Sequence, residues 1–334
     1  MFATRTSRAR LGLVAAGLLL AAAHAGAAGI KFRSADDALD QGLSAYNGGY
    51  YELAIPALEF AAGSNHFLAQ YYLALIFADN ATAHTDHAKA YILFQRIANE
   101  HAEADPEDDQ RAKYVAKALT VLAGYLQRGL PEIGLKPDAL RAAEYLNHAA
   151  VFFNYPDAQF ELAKLHLASD ENASDIAQAK HWLSRLSQSG HAGAQAFLAD
   201  LLWRGKFLER DGVRALALIA VAVENAPPAD RVWIEDIYQN VYCGASSSTR
   251  TQATGLVADW RDRYGKKPDI RDRSGLAALS AAATRTCQDG EPVVPFKAGT
   301  LEADASKGSA KIGAAEIVGG VPEAVRDVDA APPR

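Results

Sequence analysis

Hydrophobic positions recur through the middle of the chain with a helical period. Between residues 35 and 226, apolar side chains return every three or four residues, a spacing that places them on one face of an α-helix. Alanine is abundant in this stretch, whereas β-branched clusters and evenly spaced glycine or proline turns are scarce. Because β-sandwiches and barrels need such clusters and turns, the pattern predicts an all-α protein built from packed helices.

The helical pattern also repeats as a larger unit. The pair Ala-Gln opens three segments, at positions 69, 158 and 194, and Ala118 opens a fourth of the same form. The alanines that align in the second helices are Ala54, Ala90, Ala142, Ala179 and Ala215. They are 36, 52, 37 and 36 residues apart, and the long interval contains a polar insert at residues 101–113. Periods of this length are typical of helical solenoids, so we expect a right-handed α-solenoid of about five hairpins over residues 35–226.

Four of the second helices have an aspartate four residues before the aligned alanine. These aspartates are Asp86, Asp138, Asp175 and Asp211. A carboxylate at that place accepts hydrogen bonds from the unpaired amides of the first turn and opposes the helix dipole. We therefore predict that all four are N-cap residues of the repeat.

The beginning of the chain has the organisation of an export signal. Three arginines precede an apolar run at residues 11–23, and Ala23-His24-Ala25 offers the small residues that signal peptidase reads. We predict a signal peptide of residues 1–25 and a periplasmic protein without stable membrane insertion; an uncleaved anchor helix is the alternative. Loss of the three arginines lowers the formal net charge from −6 to −9, which disfavours nucleic acid as a partner.

The chain changes character twice after the repeats. Residues 227–288, which we interpret as helices that cap the solenoid, contain an amphipathic segment at 249–264 and a short alanine-rich segment at 276–284. Residues 289–334 are rich in glycine, alanine, proline and aspartate and poor in large apolar side chains. We expect this last part to be a disordered tail, because it cannot bury enough apolar surface to fold.

The chain has two cysteines, Cys243 and Cys287, which are too few for a zinc ribbon or a disulfide-stapled miniprotein. In an oxidising compartment they could join and close a loop of about 45 residues, worth up to about 4 kcal/mol of stability. Two free thiols are the alternative.

Candidate catalytic and metal-binding groups are sparse. The stretch His84-Thr85-Asp86-His87 has metal-ligand side chains, but they form an incomplete shell and the aspartate has a capping role. The stretch Ser246-Ser247-Ser248 lacks the Gly-x-Ser-x-Gly elbow of a hydrolase, and the sequence contains no glycine-rich phosphate loop. We therefore expect no catalytic, cofactor-binding or metal-binding site.

Two of the repeat units carry a recognisable set of residues. The third unit has Leu122-Ala123-Gly124-Tyr125 in its first helix and Ala149-Ala150 late in its second. The fourth unit has Ala179, Trp182 and Gly190. With an aspartate at each turn, these positions resemble the Sel1-like repeat family, a relative of the tetratricopeptide repeat. The resemblance implies stacked helix hairpins whose surfaces bind other proteins.

A narrower resemblance extends over roughly residues 35–264. The segments that carry it are residues 118–131, 158–165, 178–194 and 227–237. They resemble the periplasmic negative regulators of exopolysaccharide production of alphaproteobacteria, which are Sel1-repeat proteins without a catalytic site. The resemblance implies that the chain binds the periplasmic domain of a sensor histidine kinase, represses that pathway and so limits exopolysaccharide production.

Two other functions are alternatives to this one. The first is an envelope scaffold that gathers cell-wall or polysaccharide enzymes. The second is a secreted Sel1-type hydrolase, which is disfavoured because such proteins carry a cysteine pair in nearly every repeat and this chain has two cysteines in all.

Partner-binding residues are expected on the first helices, which usually line the concave side of a helical solenoid. The exposed aromatic and arginine side chains that we predict for this role are Tyr72, Tyr125, Arg128, Trp203 and Arg204. Of these, Arg128 and Arg204 occupy the same repeat position. For each aromatic residue taken alone, a place in the core between repeats is the alternative. The sequence leaves the oligomeric state open.

Overall fold

The computed structural model describes residues 32–107, 109–169, 172–265 and 285–294. Twelve α-helices run through these residues, and the predicted all-helical fold is confirmed. The predicted signal peptide, the predicted helix at 276–284 and residues 295–334 of the predicted tail lie outside the described residues. Within the described part of the chain, no helix combines the length and the apolar character needed to cross a membrane.

The helices follow one another through short connections. Their bounds are α1 Ala35–Asn47, α2 Tyr51–Gly63, α3 Phe67–Ala78, α4 His87–His101, α5 Ala112–Arg128, α6 Ala139–Asn147, α7 Pro156–Ser169, α8 Ala173–Gln188, α9 Ala192–Arg204, α10 Gly212–Asn225, α11 Arg231–Gly244 and α12 Ser247–Tyr264. A 3-10 turn at Pro131–Ile133 precedes α6, and a π-helical turn at His148–Phe152 continues it. The chain divides into two compact units, with the boundary between Ala69 and Gln70 inside α3.

In the first unit, α1 and α2 form a helix hairpin. Ser34 begins α1, and its hydroxyl accepts a hydrogen bond from the backbone amide of Asp37 at 3.1 Å. Gly42 of α1 lies against Leu58 of α2, where a Cβ on residue 42 would come within 2.7 Å of the leucine side chain. The two helices can therefore approach closely only because residue 42 has no side chain.

The hairpins of the second unit pack on the alanines that define the repeat. Within this unit α5 pairs with α6, α7 with α8, and α9 with α10. The fully buried repeat alanines are Ala90, Ala118, Ala142, Ala158, Ala179, Ala194 and Ala215. Larger buried side chains, such as Phe94, Leu146 and Leu183, lie four residues after the second-helix alanines and fill the space beside them. A methyl group at each contact lets the helices interdigitate at close range.

Three of the four predicted aspartates begin second helices. The carboxylates of Asp86, Asp138 and Asp211 each accept a hydrogen bond from the backbone amide three residues later, at 2.9, 3.0 and 2.9 Å. That amide bond lowers the pKa of the Asp86 carboxyl. These contacts fix where α4, α6 and α10 start.

The N-cap prediction for Asp175 is wrong. The cap of α8 is Asn172, whose Oδ1 accepts a hydrogen bond from the backbone amide of Ser174 at 3.0 Å. Asp175 instead lies in the first turn, 3.5 Å from His166. The reason is that the connection before α8 is shorter than those before α4, α6 and α10, so this helix begins almost one turn earlier in the repeat.

Two buried glutamines fasten first helices to the hairpin that precedes them. The Nε2 of Gln159 donates to the carbonyl of Ala150 at 3.1 Å, and the Nε2 of Gln195 donates to the carbonyl of Ser187 at 2.8 Å. Both carbonyls lie at the ends of second helices, where the helix itself leaves acceptors unpaired. In these two repeats the glutamine of the Ala-Gln pair therefore connects successive hairpins.

Beyond the repeats, α11 and α12 cover α10. Their buried side chains include Ile234, Tyr238, Val241, Val257 and Trp260, which join one core with α10. At the end of α12, the carbonyl of Tyr264 accepts hydrogen bonds from Gln195 at 2.9 Å and from Asn225 at 3.0 Å. These bonds tie the last helix back to the repeats.

Residues 285–294 form a short turn structure on α11 and α12, which we call the distal hairpin. Cys287 is joined to Cys243 of α11 by a disulfide, with the two Cα atoms 5.5 Å apart. Glu291 pairs with Arg250 of α12. Residues 289–294 are thus part of the fold, which corrects the predicted start of the tail at residue 289. Covalent and ionic anchors hold this segment in place although its composition is polar.

Candidate partner-binding surfaces

The structure distributes the five predicted partner-binding residues over separate places. Tyr125 and Arg128 contact each other near the end of α5, and Tyr72 belongs to a cluster of tyrosines that begins on α3. Trp203 and Arg204 lie at the end of α9. The five residues do not form one continuous site among the contacts that the structure describes.

Tyr125 is a core residue between repeats. Its side chain is only 4% exposed, and its hydroxyl lies 2.9 Å from Nδ1 of His87 on α4. Its ring meets that of Tyr91 edge to face, with centroids 6.0 Å apart. Burial raises the pKa of its hydroxyl. Tyr125 therefore holds α5 against α4, and the prediction that it is exposed for a partner is wrong.

Tyr72 belongs to a group of aromatic and polar side chains on first helices, which Tyr71 connects: its ring contacts those of Tyr72 and Tyr114, and after burial and Asp157 it contributes to the raised pKa of the Tyr155 hydroxyl. We call this group the tyrosine face and define it as Tyr72, Tyr114, Tyr155, Asp157 and His191. The buried ring of Tyr71 lies beneath it and meets Tyr72 and Tyr114 edge to face, with centroids 5.4 and 4.8 Å away. Burial, followed by the proximity of Tyr114, raises the pKa of the Tyr72 hydroxyl.

Asp157 connects two repeats within the tyrosine face. Its Oδ2 accepts a hydrogen bond from the hydroxyl of Tyr155 at 3.0 Å, and its Oδ1 lies 3.2 Å from Nε2 of His191. The hydrogen bond with His191 is the main cause that lowers the pKa of the Asp157 carboxyl, and the charge of Lys117 acts in the same direction. The carboxylate is therefore ionised at neutral pH and held in position between α7 and α9.

His191 is oriented by the helix that it begins. Its Nδ1 accepts a hydrogen bond from the backbone amide of Ala194 at 3.1 Å, so the hydrogen of the neutral ring lies on Nε2 and is donated to Asp157. The ring packs beside Phe160, with centroids 5.2 Å apart. A Cβ on residue 193 would come within 2.9 Å of that phenylalanine, so Gly193 leaves room for the arrangement.

Four members of the tyrosine face were not found from the sequence. A signal for two of them was present, since Tyr155 and His191 each lie three residues before the alanine that opens their repeat. This is the start of the first helix, where a polar side chain can serve as a cap. The pairing of Asp157 with His191, 34 residues later, depends on how the hairpins stack and has no signal in the sequence.

Arg128 and Arg204 lie at equivalent ends of α5 and α9, and both are exposed. The guanidinium of Arg128 lies over the ring of Tyr125, 5.9 Å from its centroid. Arg204 pairs with Asp200 one turn earlier at 2.8 Å. Each arginine thus has a local partner, and a role for either one in binding another protein stays a prediction.

Trp203 lies in an open groove beside the disulfide and not on the tyrosine face. The groove has a volume of about 640 Å³ and is lined by the end of α9, by α11 and by the distal hairpin. A Cβ on Gly212 or Gly244 would come within 3.2 and 2.6 Å of the tryptophan ring. Arg210 lies over the ring, 5.3 Å from its centroid.

A second groove, of about 700 Å³, lies along the polar insert, and its mixed lining includes four acidic residues beside His101 and Arg111. Arg111 pairs there with Asp109 at 2.6 Å, and burial lowers the pKa of the neighbouring His101. Among the described residues, no group of three histidine, cysteine, aspartate or glutamate side chains is placed to hold a metal ion.

Comparisons with known proteins give two curated relatives, while no family model matches the chain. The chain is 30% identical over 212 residues to the exopolysaccharide production negative regulator of Rhizobium meliloti (strain 1021), covering 64% of this chain and 76% of that protein. It is 31% identical over 215 residues to the protein of the same name from Rhizobium leguminosarum bv. viciae, covering 64% of this chain and 78% of that protein.

Solved structures with a similar backbone are Sel1-type repeat proteins. The first is a protective antigen present in uropathogenic Escherichia coli strains, with a TM-score of 0.43 and 17% sequence identity. The match covers 70% of this chain and 54% of the antigen. A Sel1 repeat protein from Oxalobacter formigenes has a TM-score of 0.46 at 18% identity, over 68% of this chain and 88% of that one.

Proposed function

The chain belongs to the family of exopolysaccharide production negative regulators, and from this membership we propose that it restrains exopolysaccharide production by binding another protein. The family resemblance seen in the sequence is confirmed. We propose further that the partner is the periplasmic domain of a sensor histidine kinase, which the chain reaches by export directed by residues 1–25. Bound to this domain, the chain holds the kinase inactive and catalyses no reaction.

The tyrosine face is the observation that supports binding of a protein. Tyr72 and Tyr114 are half-buried, and their rings pack edge to face on the buried ring of Tyr71, which holds both in position. Tyrosines in such positions are common at the energetic centres of protein interfaces, because they combine a large contact area with a hydrogen-bonding group.

The charges of the tyrosine face favour one orientation of a partner. The side chain of Asp157 is 58% exposed, yet its position is fixed by hydrogen bonds to Tyr155 and His191. An arginine or lysine of the partner would meet this preorganised acceptor and form a charge-assisted hydrogen bond. The ammonium of Lys113 over the ring of Tyr114, 4.9 Å from its centroid, supplies the opposite charge elsewhere on the face.

Two variants with the same change of charge test the binding surface. In Asp157→Lys the change is on the tyrosine face, and in Glu144→Lys it is on the exposed side of α6. We expect Asp157→Lys to weaken binding to the purified periplasmic domain of the kinase about tenfold or more and to raise exopolysaccharide secretion, because a hydrogen-bonded charge is reversed. Glu144→Lys should bind like the wild type. If both variants bind equally well and both fold by circular dichroism, the tyrosine face is not the docking site.

Deletion of the gene combined with crosslinking in cells tests the class of partner. We expect overproduction of exopolysaccharide and a crosslinked product that contains the sensor kinase. A crosslink to an envelope synthase in place of the kinase would favour the scaffold function. Turnover of a polysaccharide by the purified chain would contradict the non-catalytic role.

A further inference from the structure

The groove around Trp203 has a lining that the proposed regulatory contact does not use. It combines one aromatic ring with several amide and carboxylate side chains in a volume of about 640 Å³. Among the described lining residues, Asp236 and Asp289 are acidic and none is basic. Pockets for apolar ligands are lined mostly by hydrophobic side chains, so this composition suits a ligand rich in hydroxyl groups.

The ring of Trp203 is fixed before any ligand arrives. It is held between Gly212 of α10 and Gly244 of α11, where even a methyl side chain would crowd it. The guanidinium of Arg210 lies over the ring, and part of the ring stays exposed. A platform that is already rigid loses little conformational entropy on binding.

The amides of Asn240 and Gln288 supply hydrogen bonds on two different elements of the groove. Asn240 lies on α11 and Gln288 in the distal hairpin, and both side chains are exposed. Neither amide has a hydrogen-bond partner within the part of the chain that the structure describes. Because an amide group both donates and accepts, each can pair with neighbouring hydroxyls of a sugar ring.

The relative position of these two elements is also fixed. The Nε2 of Gln239 on α11 donates to the carbonyl of Thr286 at 2.9 Å, and Arg285 pairs with Asp236. Together with the disulfide, these contacts hold the distal hairpin against α11. The groove is thus a built site that needs no closure around its ligand.

We propose that this groove binds a neutral oligosaccharide, with one sugar ring packed against the exposed part of Trp203 and its hydroxyls bonded to Asn240 and Gln288. A pyranose ring presents an apolar C–H face to an aromatic ring and a rim of hydroxyls to amides and carboxylates. The carboxylates of Asp236 and Asp289 accept hydrogen bonds from hydroxyls. Asp236 is paired with Arg285, whereas Asp289 has no ion-pair partner among the described residues and repels acidic glycans. The residues are separate from the tyrosine face, so the inference does not rest on the proposed kinase partner.

The test uses the full mature chain with its disulfide intact. The probes are cellotetraose, laminaritetraose and maltotetraose, with tetragalacturonate as the acidic comparison. Calorimetry and tryptophan fluorescence measure binding. We expect at least one neutral tetramer to bind with a dissociation constant of about 1 mM or tighter, and tetragalacturonate not to bind.

Three variants assign any binding to the groove. The double variant Asn240→Ala, Gln288→Ala should bind about tenfold more weakly, because two hydrogen-bonding groups are lost. Gln127→Ala, which removes an exposed amide on α5, is the matched control and should bind like the wild type. Trp203→Phe keeps a ring in the slot and should abolish the fluorescence change. If no neutral tetramer binds, or if the double variant binds as well as the control, the proposal is wrong.

Discussion

Gln195 is a single residue on which three helices depend. Its amide donates to the carbonyls of Ser187 in α8 and Tyr264 in α12, and its Oε1 accepts a hydrogen bond from Asn225 of α10 at 2.8 Å. The side chain is 0% exposed. Since water does not reach this place, loss of the amide would leave buried polar groups without partners.

Replacement of this residue should therefore destabilise the protein strongly. We expect Gln195→Ala to lower the free energy of unfolding by about 3 kcal/mol, because several buried hydrogen bonds are lost together. Urea denaturation followed by circular dichroism measures the change. Gln127→Ala, at an exposed site on α5, should have almost no effect. Similar losses for the two variants would contradict the connecting role of Gln195.

Asp37 makes the stability of the first unit depend on acid pH. A hydrogen bond from the side chain of Arg33 is the largest cause that lowers the pKa of this carboxyl from 3.8 to about 2. Because the pKa is lower in the folded than in the unfolded chain, the stabilisation is complete above about pH 4 and is lost as the pH falls toward 2.

The variant Asp37→Asn removes this titration. The difference in unfolding free energy between wild type and Asp37→Asn should therefore be constant near neutral pH and shrink as the pH falls from about 4 toward 2. Urea denaturation at a series of pH values measures this difference. A difference that stays constant over the acid range would show that the Arg33–Asp37 contact does not persist in solution.

At the scale of helices, the start of α8 shows how the length of a connection decides which residue caps a helix. Asn172 caps α8, although the repeat pattern points to Asp175. We expect Asn172→Ala to lower the free energy of unfolding by about 1 kcal/mol and Asp175→Ala to lower it less, because only the first change removes the cap. Thermal unfolding of both variants measures this, with Asp138→Ala of α6 as a positive control. A larger loss for Asp175→Ala would restore the original prediction.

The candidate surface was partly predictable at this scale. Tyr72 was found because it lies on a first helix, whereas Tyr125, on the same kind of helix, turned out to be buried. The two tyrosines differ in their neighbours, because His87 of the preceding helix contacts the hydroxyl of Tyr125. Helical periodicity shows which side of a helix a residue is on, but not whether a neighbouring hairpin covers it.

At the scale of the whole molecule, the disulfide closes a long loop. Cys243 and Cys287 are 44 positions apart, and a loop of that size corresponds to about 4 kcal/mol in the chain-entropy model. We expect the double variant Cys243→Ala, Cys287→Ala to unfold at a lower urea concentration by a comparable free energy. Intact mass before and after reduction shows whether the bond is present. Two thiols that react with an alkylating reagent in the unreduced protein would contradict the structure.

The repeat architecture was predictable because the alanines that set its period are the contacts on which it packs. Ala142 and Ala179 are fully buried, as their alignment requires. The cysteine pair that anchors the distal hairpin was visible in the sequence, but the place of residues 289–294 in the fold was not. Their composition marks them as a tail, whereas they are held by contacts with distant residues such as Arg250. Local sequence patterns therefore identify the repeats, whereas contacts between distant parts of the sequence determine which further segments pack onto the repeats.

The covalent link at the end of the repeats has one more consequence. Residues 266–284 lie between the two bonded cysteines, so a single backbone cut there leaves both pieces attached. On a non-reducing gel, a nicked molecule would migrate with the intact chain. It would separate into two fragments only after reduction. Proteolytic loss of everything beyond that cut would therefore require a second event, the opening of one sulfur–sulfur bond.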